Sequence, residues 1–235
     1  INKLKTKKSI ERYGKWINYS PSKWTILLFD EYKKILFCDI DTLAVSDYTK
    51  VFLEKTPAWV CFHKATLSLN NYSNIIKSTN KGDKMDSSFL KKYVKYSKSD
   101  ICKKNKDIDF IPVNASIVLL KPSMNDFHNI YNLMKKEIDK NGFYKSITDS
   151  SAPDENVLFE YYVCKKKKNI SILGPEYLVT EWIYKDKKNK NNPYENIKKP
   201  IIYNYDSTDK PWNKKEHELY EEEKIWYQLK KQLKL

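Results

Sequence analysis

Two carboxylates one residue apart, Asp39 and Asp41, stand at the end of the apolar run Ile35-Leu36-Phe37-Cys38. In an extended strand, residues i and i+2 point to the same side. The pair can therefore offer two hard oxygen ligands to one divalent cation, which can bridge in turn to the phosphates of a nucleotide. The plainer alternative is a strand-end turn in which Asp41 and Thr42 only cap the backbone. A second acid pair, Asp154-Glu155, follows Pro153 at an expected helix start. Acids there complement the helix dipole, which by itself needs no further function. Other chemistries find less support. Cys38, Cys61, Cys102 and Cys164 have no Cys-x-x-Cys spacing and read as buried thiols in a reducing compartment. His63, His128 and His217 are scattered without metal-ligand spacing and read as surface histidines.

The elements that must position these groups follow from periodicity. Trp24, Leu27, Leu28 and Tyr32 share one face of a helix expected over 22–32, with Ser22 as its cap and Lys33-Lys34 in its last turn. Strands are expected at 34–39, Ala58 to His63, Ile111 to Leu120, Ile170 to Leu173 and Ile201 to Tyr205, each a short apolar run rich in β-branched or aromatic residues. Phe127, Ile130, Tyr131, Met134 and Ile138 make one face of a helix closed by Asn141-Gly142. Pro153 opens another, running through Cys164. From Glu216 to Leu235, Ile225, Trp226, Leu229 and Leu233 line one face of a docking helix. The polar stretch 64–109 reads in part as a loop, and Lys185 to Asn192 as a charged turn. Strands alternating with helices predict an α/β sandwich around a mainly parallel sheet. Ligands in such sheets sit beyond the carboxyl ends of strands, where Asp39 and Asp41 fall.

The chain has 235 residues, enough for one substantial core, and a formal charge of +14. Such a charge invites a nucleic-acid partner, yet Arg12 is the sole arginine, and arginine is the better donor for bidentate phosphate and base contacts. Compositional bias toward lysine explains the charge better than a specific nucleic-acid site. No run of eighteen apolar residues is present, so no membrane span is expected.

Four ordered blocks resemble family 8 of the glycosyltransferases, the glycogenin-like enzymes, and within it the shorter viral members of baculovirus type. They are Ser22-Lys23-Trp24 with Leu27-Leu28 and Asp39-Ile40-Asp41; Val113-Asn114-Ala115-Ser116 through Ser123; Pro153-Asp154-Glu155-Asn156 with Val157-Leu158-Phe159; and Tyr203-Asn204-Tyr205-Asp206-Ser207 leading to Lys210-Pro211-Trp212. The resemblance implies a GT-A, Rossmann-like α/β/α sandwich forming a single domain over 1–235; the family's first β-α-β segment has no counterpart here, so an N-terminally incomplete domain is expected, either a fragment of a longer product or one with an incomplete nucleotide pocket. It implies a retaining transferase moving a hexose from a UDP-sugar to a hydroxyl of a glycan or protein, with manganese or magnesium. Asp39 and Asp41 would hold the metal. Asn204 stands where the family has a histidine ligand, and Ser207 where it has a glycine beside the diphosphate. Lys23, Asp39, Ile40, Asp41, Asn114, Ala115, Ser207 and Lys210 would bind the nucleotide sugar, and Asp154 and Glu155 would act at the anomeric carbon. A homodimer fits this picture, located in the cytoplasm or, if the chain is viral, in the host cell cytoplasm or the virion. The departures at Ser116 and Asn204, with the missing first segment, keep a second reading open, an inactive relative serving as a sugar- or nucleotide-binding or scaffold module.

Overall fold

The computed structural model describes residues 15–60, 84–85, 102, 113–137, 152–181, 184, 197, 199–206 and 209–233, with side chains described at all of these except 15–18 and 84–85. Five strands form the main sheet: β1 (Ile35–Cys38), β3 (Ala58–Val60), β4 (Lys84–Met85), β5 (Ile117–Leu120) and β6 (Ile170–Leu173), in the order β1-β5-β3-β6-β4. A second sheet has the order β2-β8-β7, from β2 (Thr42–Ala44), β7 (Val179–Thr180) and β8 (Ile202–Asn204). The α/β class is as expected, but the mainly parallel sheet is not. Among the described residues only β3 with β6 and β7 with β8 pair in parallel; the other four pairings are antiparallel. The reason is that a continuous apolar run reports burial on both faces, whereas strand direction is set by the connections.

Those two buried faces are visible in β5. Val118 and Leu120 join Trp59, Ile170 and Ile172 in one core with Trp24, Leu27, Ile130, Val157 and Phe159. Ile117 and Leu119 join Ala58, Val60 and Leu173 in the other, with Ile202 and Tyr203. The first face is covered by helices. The second is covered by the small sheet and its connections rather than by a plain helical layer, and Ile225 and Trp226 pack against it from the C-terminal helix.

Three α-helices are described: α1 (Met124–Lys136), α2 (Pro153–Phe159) and α3 (Glu221–Gln232). Ser123 caps α1, its Oγ accepting the Asp126 N–H at 3.2 Å, and Lys135 and Lys136 close it. It stops before the expected Asn141-Gly142, which lies outside the described residues. Pro153 takes the first position of α2, and the helix continues as a π-helix over Glu160–Lys165. The expected helix over 22–32 is instead a 3-10 helix over Lys15–Leu28 with Pro21 inside it. Proline removes a backbone donor and disfavours α geometry in the residue before it; the element runs unbroken through Pro21 with 3-10 winding and ends at Leu28. Tyr32 is exposed and leaves the core to Trp24 and Leu27.

Helix α3 departs further from its apolar pattern. Its buried residues are Glu222 and Glu223, while Leu233, at its C-cap, is exposed. Lys214, itself buried, meets Glu223 Oε1 at 2.7 Å, and Tyr184 donates to the same oxygen at 3.4 Å. Burial alone would depress the Lys214 ammonium; Glu223 and Glu181 more than offset it and hold its pKa above the ordinary value. The helix thus docks by an ion pair flanked by apolar contacts. His128 and His217 are exposed, as their isolation suggested.

The cysteines correct an expectation. Cys102 and Cys164 form a disulfide across 62 positions of sequence, and Cys38 is an exposed thiol at the end of β1. Cys61 and His63 lie outside the described residues, as do most of 64–109 and all of 185–192. Among the described residues no helix is long and apolar enough to cross a membrane. Closing a loop of that length restricts the unfolded chain, so Cys102→Ser or Cys164→Ser should each lower stability by about 2–4 kcal/mol. The double variant should lose no more than either single one, as read by denaturant unfolding with and without a reductant.

Candidate functional site

Strand β1 ends at Cys38, and the chain changes sheet at the next three residues. The Asp39 N–H donates to the Ser116 carbonyl at 2.8 Å, continuing the pairing with β5. The Asp39 carbonyl then accepts both the N–H (3.1 Å) and the hydroxyl (2.6 Å) of Thr42. This closes a tight turn, Asp39-Ile40-Asp41-Thr42, from which β2 leaves into the small sheet. The two acids therefore sit in the turn rather than in strand alternation, and Ile40 between them is fully exposed. The Tyr205 N–H donates to the Asp41 carbonyl at 2.9 Å, tying the turn to the end of β8.

One ammonium gathers the first half of the site. Lys23 Nζ lies 2.7 Å from Asp154 Oδ2 and 3.1 Å from Asp39 Oδ1, and it donates to the Ala115 carbonyl at 3.3 Å. Its side chain is 11% exposed, with the Phe37 ring centroid at 5.0 Å. Burial opposes this charge, yet Asp154 and Asp39 overcome it and hold the Lys23 pKa above the ordinary lysine value. The three acceptors match the three donors of an ammonium. A direct bond from Lys23 to a phosphate, the role the resemblance implied, would thus require giving up one of these contacts. Burial, joined by the Asp154 charge, leaves Asp39 raised, although Lys23 and the Ser116 hydroxyl pull it down.

The second acid pair divides its work. Asp154 is buried at the start of α2, and among the described residues its Oδ1 has no hydrogen-bond partner. Glu155 turns back on the backbone: Oε2 accepts the Ala152 N–H at 3.1 Å and Oε1 the Ala115 N–H at 3.4 Å. Glu155 therefore clamps the loop before β5 onto the head of α2. Burial and the neighbouring Asp154 charge push it up to about 7. Asn114 is engaged locally, its Oδ1 accepting the Ser116 N–H at 2.8 Å.

A second ammonium serves the other half. Lys210 Nζ lies 2.6 Å from Asp41 Oδ2 and donates to the Tyr205 carbonyl. It precedes a short 3-10 turn, Pro211–Asn213, in which Pro211 is buried while Trp212 is 41% exposed and 5.7 Å from Trp226. Asn204, the last residue of β8, pairs in register with Thr42 on one side and Thr180 on the other. Among the described residues, its buried Oδ1 and the Thr180 hydroxyl have no hydrogen-bond partner. Ser207 lies outside the described residues.

The expected residues are brought together along two chains of contact. Lys23, Asp39, Ala115, Asp154 and Glu155 form the first; Asp41, Lys210 and Tyr205 form the second, with Asn204 adjoining it as the residue before Tyr205. Two members escaped the reading of the sequence. The Ser116 hydroxyl supports Asp39, although its position reads in the sequence only as a departure from the family pattern, and Thr180 carries no motif at all. Among the described residues no group of three or more His, Cys, Asp or Glu side chains could hold a metal ion. The available donors are two carboxylates and one amide oxygen. All are hard oxygens suited to magnesium or manganese, and the buried unpartnered Asn204 Oδ1 has its acceptor capacity to give.

No family model and no curated protein matches the chain. Solved structures do. An active-site mutant of LgtC matches with a TM-score of 0.51 at 13% identity, and the galactosyltransferase LgtC in complex with donor and acceptor sugar analogues matches with 0.50 at 12%. Each match covers 89% of this chain and 66% of that one. The glycosyltransferase GlyE of Streptococcus pneumoniae matches with 0.47 at 16% identity, covering 88% of this chain and 42% of that one. The chain thus spans less than two thirds of these proteins' length. At such identities the two LgtC matches show a shared fold, the GT-A-like α/β architecture.

The clamp has a pH signature. Folding raises the Glu155 pKa, so the native state retains a proton that the unfolded chain has already released. Stability is full below the ordinary glutamic acid range and is lost as pH rises to about 7. Asp39 contributes with the same sign. Glu155→Gln should flatten the fall of melting temperature between about pH 5 and pH 7 by about 3 °C, measured by differential scanning calorimetry across that range.

Proposed function

We propose that the chain is a metal-dependent glycosyltransferase that moves a hexose from a UDP-sugar to a hydroxyl acceptor with retention of configuration. The observation that carries this reading is the Lys23 bridge. It joins the Asp-x-Asp turn to the head of α2, so the acids suited to a metal-bound diphosphate and those suited to a sugar ring belong to one connected site. The GT-A-like fold shared with LgtC supports the same reading.

Asp39, Asp41 and Asn204 are the residues that would hold a manganese or magnesium ion. When bound, such an ion supplies positive charge against the departing diphosphate. The remaining roles belong to the chain itself. Lys210, at the rim of the site, is placed to neutralise a phosphate oxygen. Lys23 is a positioning residue that keeps Asp39 and Asp154 at fixed distances from one ammonium. Asp154 Oδ1 is a buried acceptor for a sugar hydroxyl, and its charge favours positive character at the anomeric carbon. Glu155 fixes the backbone at Ala115 and at the start of α2, which makes its contribution one of geometry. Exposed Ile40 flanks the site between the two acids. The nearest partners are a UDP-hexose and a glycan or protein hydroxyl.

A second reading is an inactive relative that binds sugar nucleotides. The neutral Asn204 favours it, since an amide oxygen is a weaker ligand for manganese than imidazole. Release of UDP from a panel of UDP-hexoses separates the two, because an inactive module binds without releasing it. Isothermal titration should show manganese-dependent UDP binding that Asp41→Ala abolishes. Equal binding with and without metal would reject the site assignment.

A further inference from the structure

The two lysines of the site are held differently. Lys23 is 11% exposed and spends all three donors on fixed acceptors beneath the Phe37 ring. Lys210 is 22% exposed, as is its partner Asp41, and it rises on a flexible stem from a backbone anchored at buried Pro211. Its ammonium stands 2.6 Å from the oxygen of the carboxylate that the proposed function gives to a divalent ion. An ammonium and a metal ion cannot both stand that close to one carboxylate oxygen without strong mutual repulsion.

Resting on that proposed function, we infer that Lys210 is an exchangeable counter-ion that makes metal and diphosphate binding depend on each other. With neither ligand bound, Lys210 neutralises Asp41. A metal ion arriving alone at that oxygen must displace Lys210 and leave its ammonium without a counter-charge there, held by the neutral Tyr205 carbonyl. A diphosphate arriving alone must draw Lys210 away and leave Asp41 unpaired. When both arrive, each supplies what the other displaces: the ion takes Asp41 and the phosphate takes Lys210. No covalent bond changes and no proton need move. The coupling is reciprocal by thermodynamic necessity. Lys210 is thus a positioning residue that suppresses metal uptake by the empty protein and reserves the loaded site for the pair.

The test uses the full chain, with manganese alone, UDP alone and the two together, in isothermal titrations and in manganese electron paramagnetic resonance. In the wild type, UDP should tighten manganese binding about 10-fold, within the usual range of coupling between sites. Lys210→Met should bind manganese alone about 3- to 10-fold more tightly than the wild type, while UDP tightens it less than about threefold. Lys210→Gln should move in the same direction. A stability defect would weaken metal binding, so a gain in affinity reports the competition itself. Unchanged or weaker manganese binding in both variants, alongside metal-dependent UDP binding in the wild type, overturns this inference and leaves the proposed function standing. UDP binding that ignores manganese in the wild type overturns both.

Discussion

The candidate site depends on one buried positive charge placed between two carboxylates that the sequence keeps far apart. Asp39 belongs to the turn after β1 and Asp154 to the head of α2, and Lys23 bridges the two. Two acids in a poorly solvated space repel one another, and one of them would ordinarily take up a proton. The Lys23 ammonium makes the arrangement tolerable, at the cost of being withdrawn from solvent itself. Its third contact, the Ala115 carbonyl, extends the same charge to the loop before β5. The loop is then closed by Glu155. Each element of the first half of the site touches this one group or its immediate partners.

A similar arrangement recurs behind the small sheet. Lys214 is buried against Glu223 and near Glu181, so a C-terminal helix whose apolar residues are only half covered is held by an ion pair. Removing one partner of such a pair is costlier than never having built it. In a chain with so many surface lysines, the buried ones matter because of where they sit and not because of what they are. The large positive charge of the chain therefore says little about partners, while two withdrawn ammonium groups say much about architecture.

The strands at 35–38, 170–173 and 202–204 and the proline-led helix α2 were legible because each is a short apolar run or carries a turn residue with a fixed geometric meaning. Strand direction was not legible: Ile117 to Leu120 is apolar throughout and would look the same whether paired parallel or antiparallel. Helix α3 misled for the opposite reason. Its apolar stripe is real, but the deepest positions are Glu222 and Glu223, and a hydrophobic pattern cannot show that Lys214 waits to receive one of them. The disulfide was hidden because Cys102 and Cys164 are far apart in sequence and share no motif spacing. In the site, residue types were readable while engagement was not. Lys23, Asn114 and Glu155 are all present where the resemblance put them, yet each is occupied with the chain's own groups.

The turn that carries Asp39 and Asp41 lies on the seam between two sheets, since β1 belongs to the larger and β2 to the smaller. One acid is moored to each side, Asp39 through Ser116 and Asp41 through Tyr205. The gap between the carboxylates is therefore a gauge of how the sheets are seated. A substitution deep in either layer that shifts its sheet by a fraction of an ångström would be felt at this seam, without any change to the acids themselves.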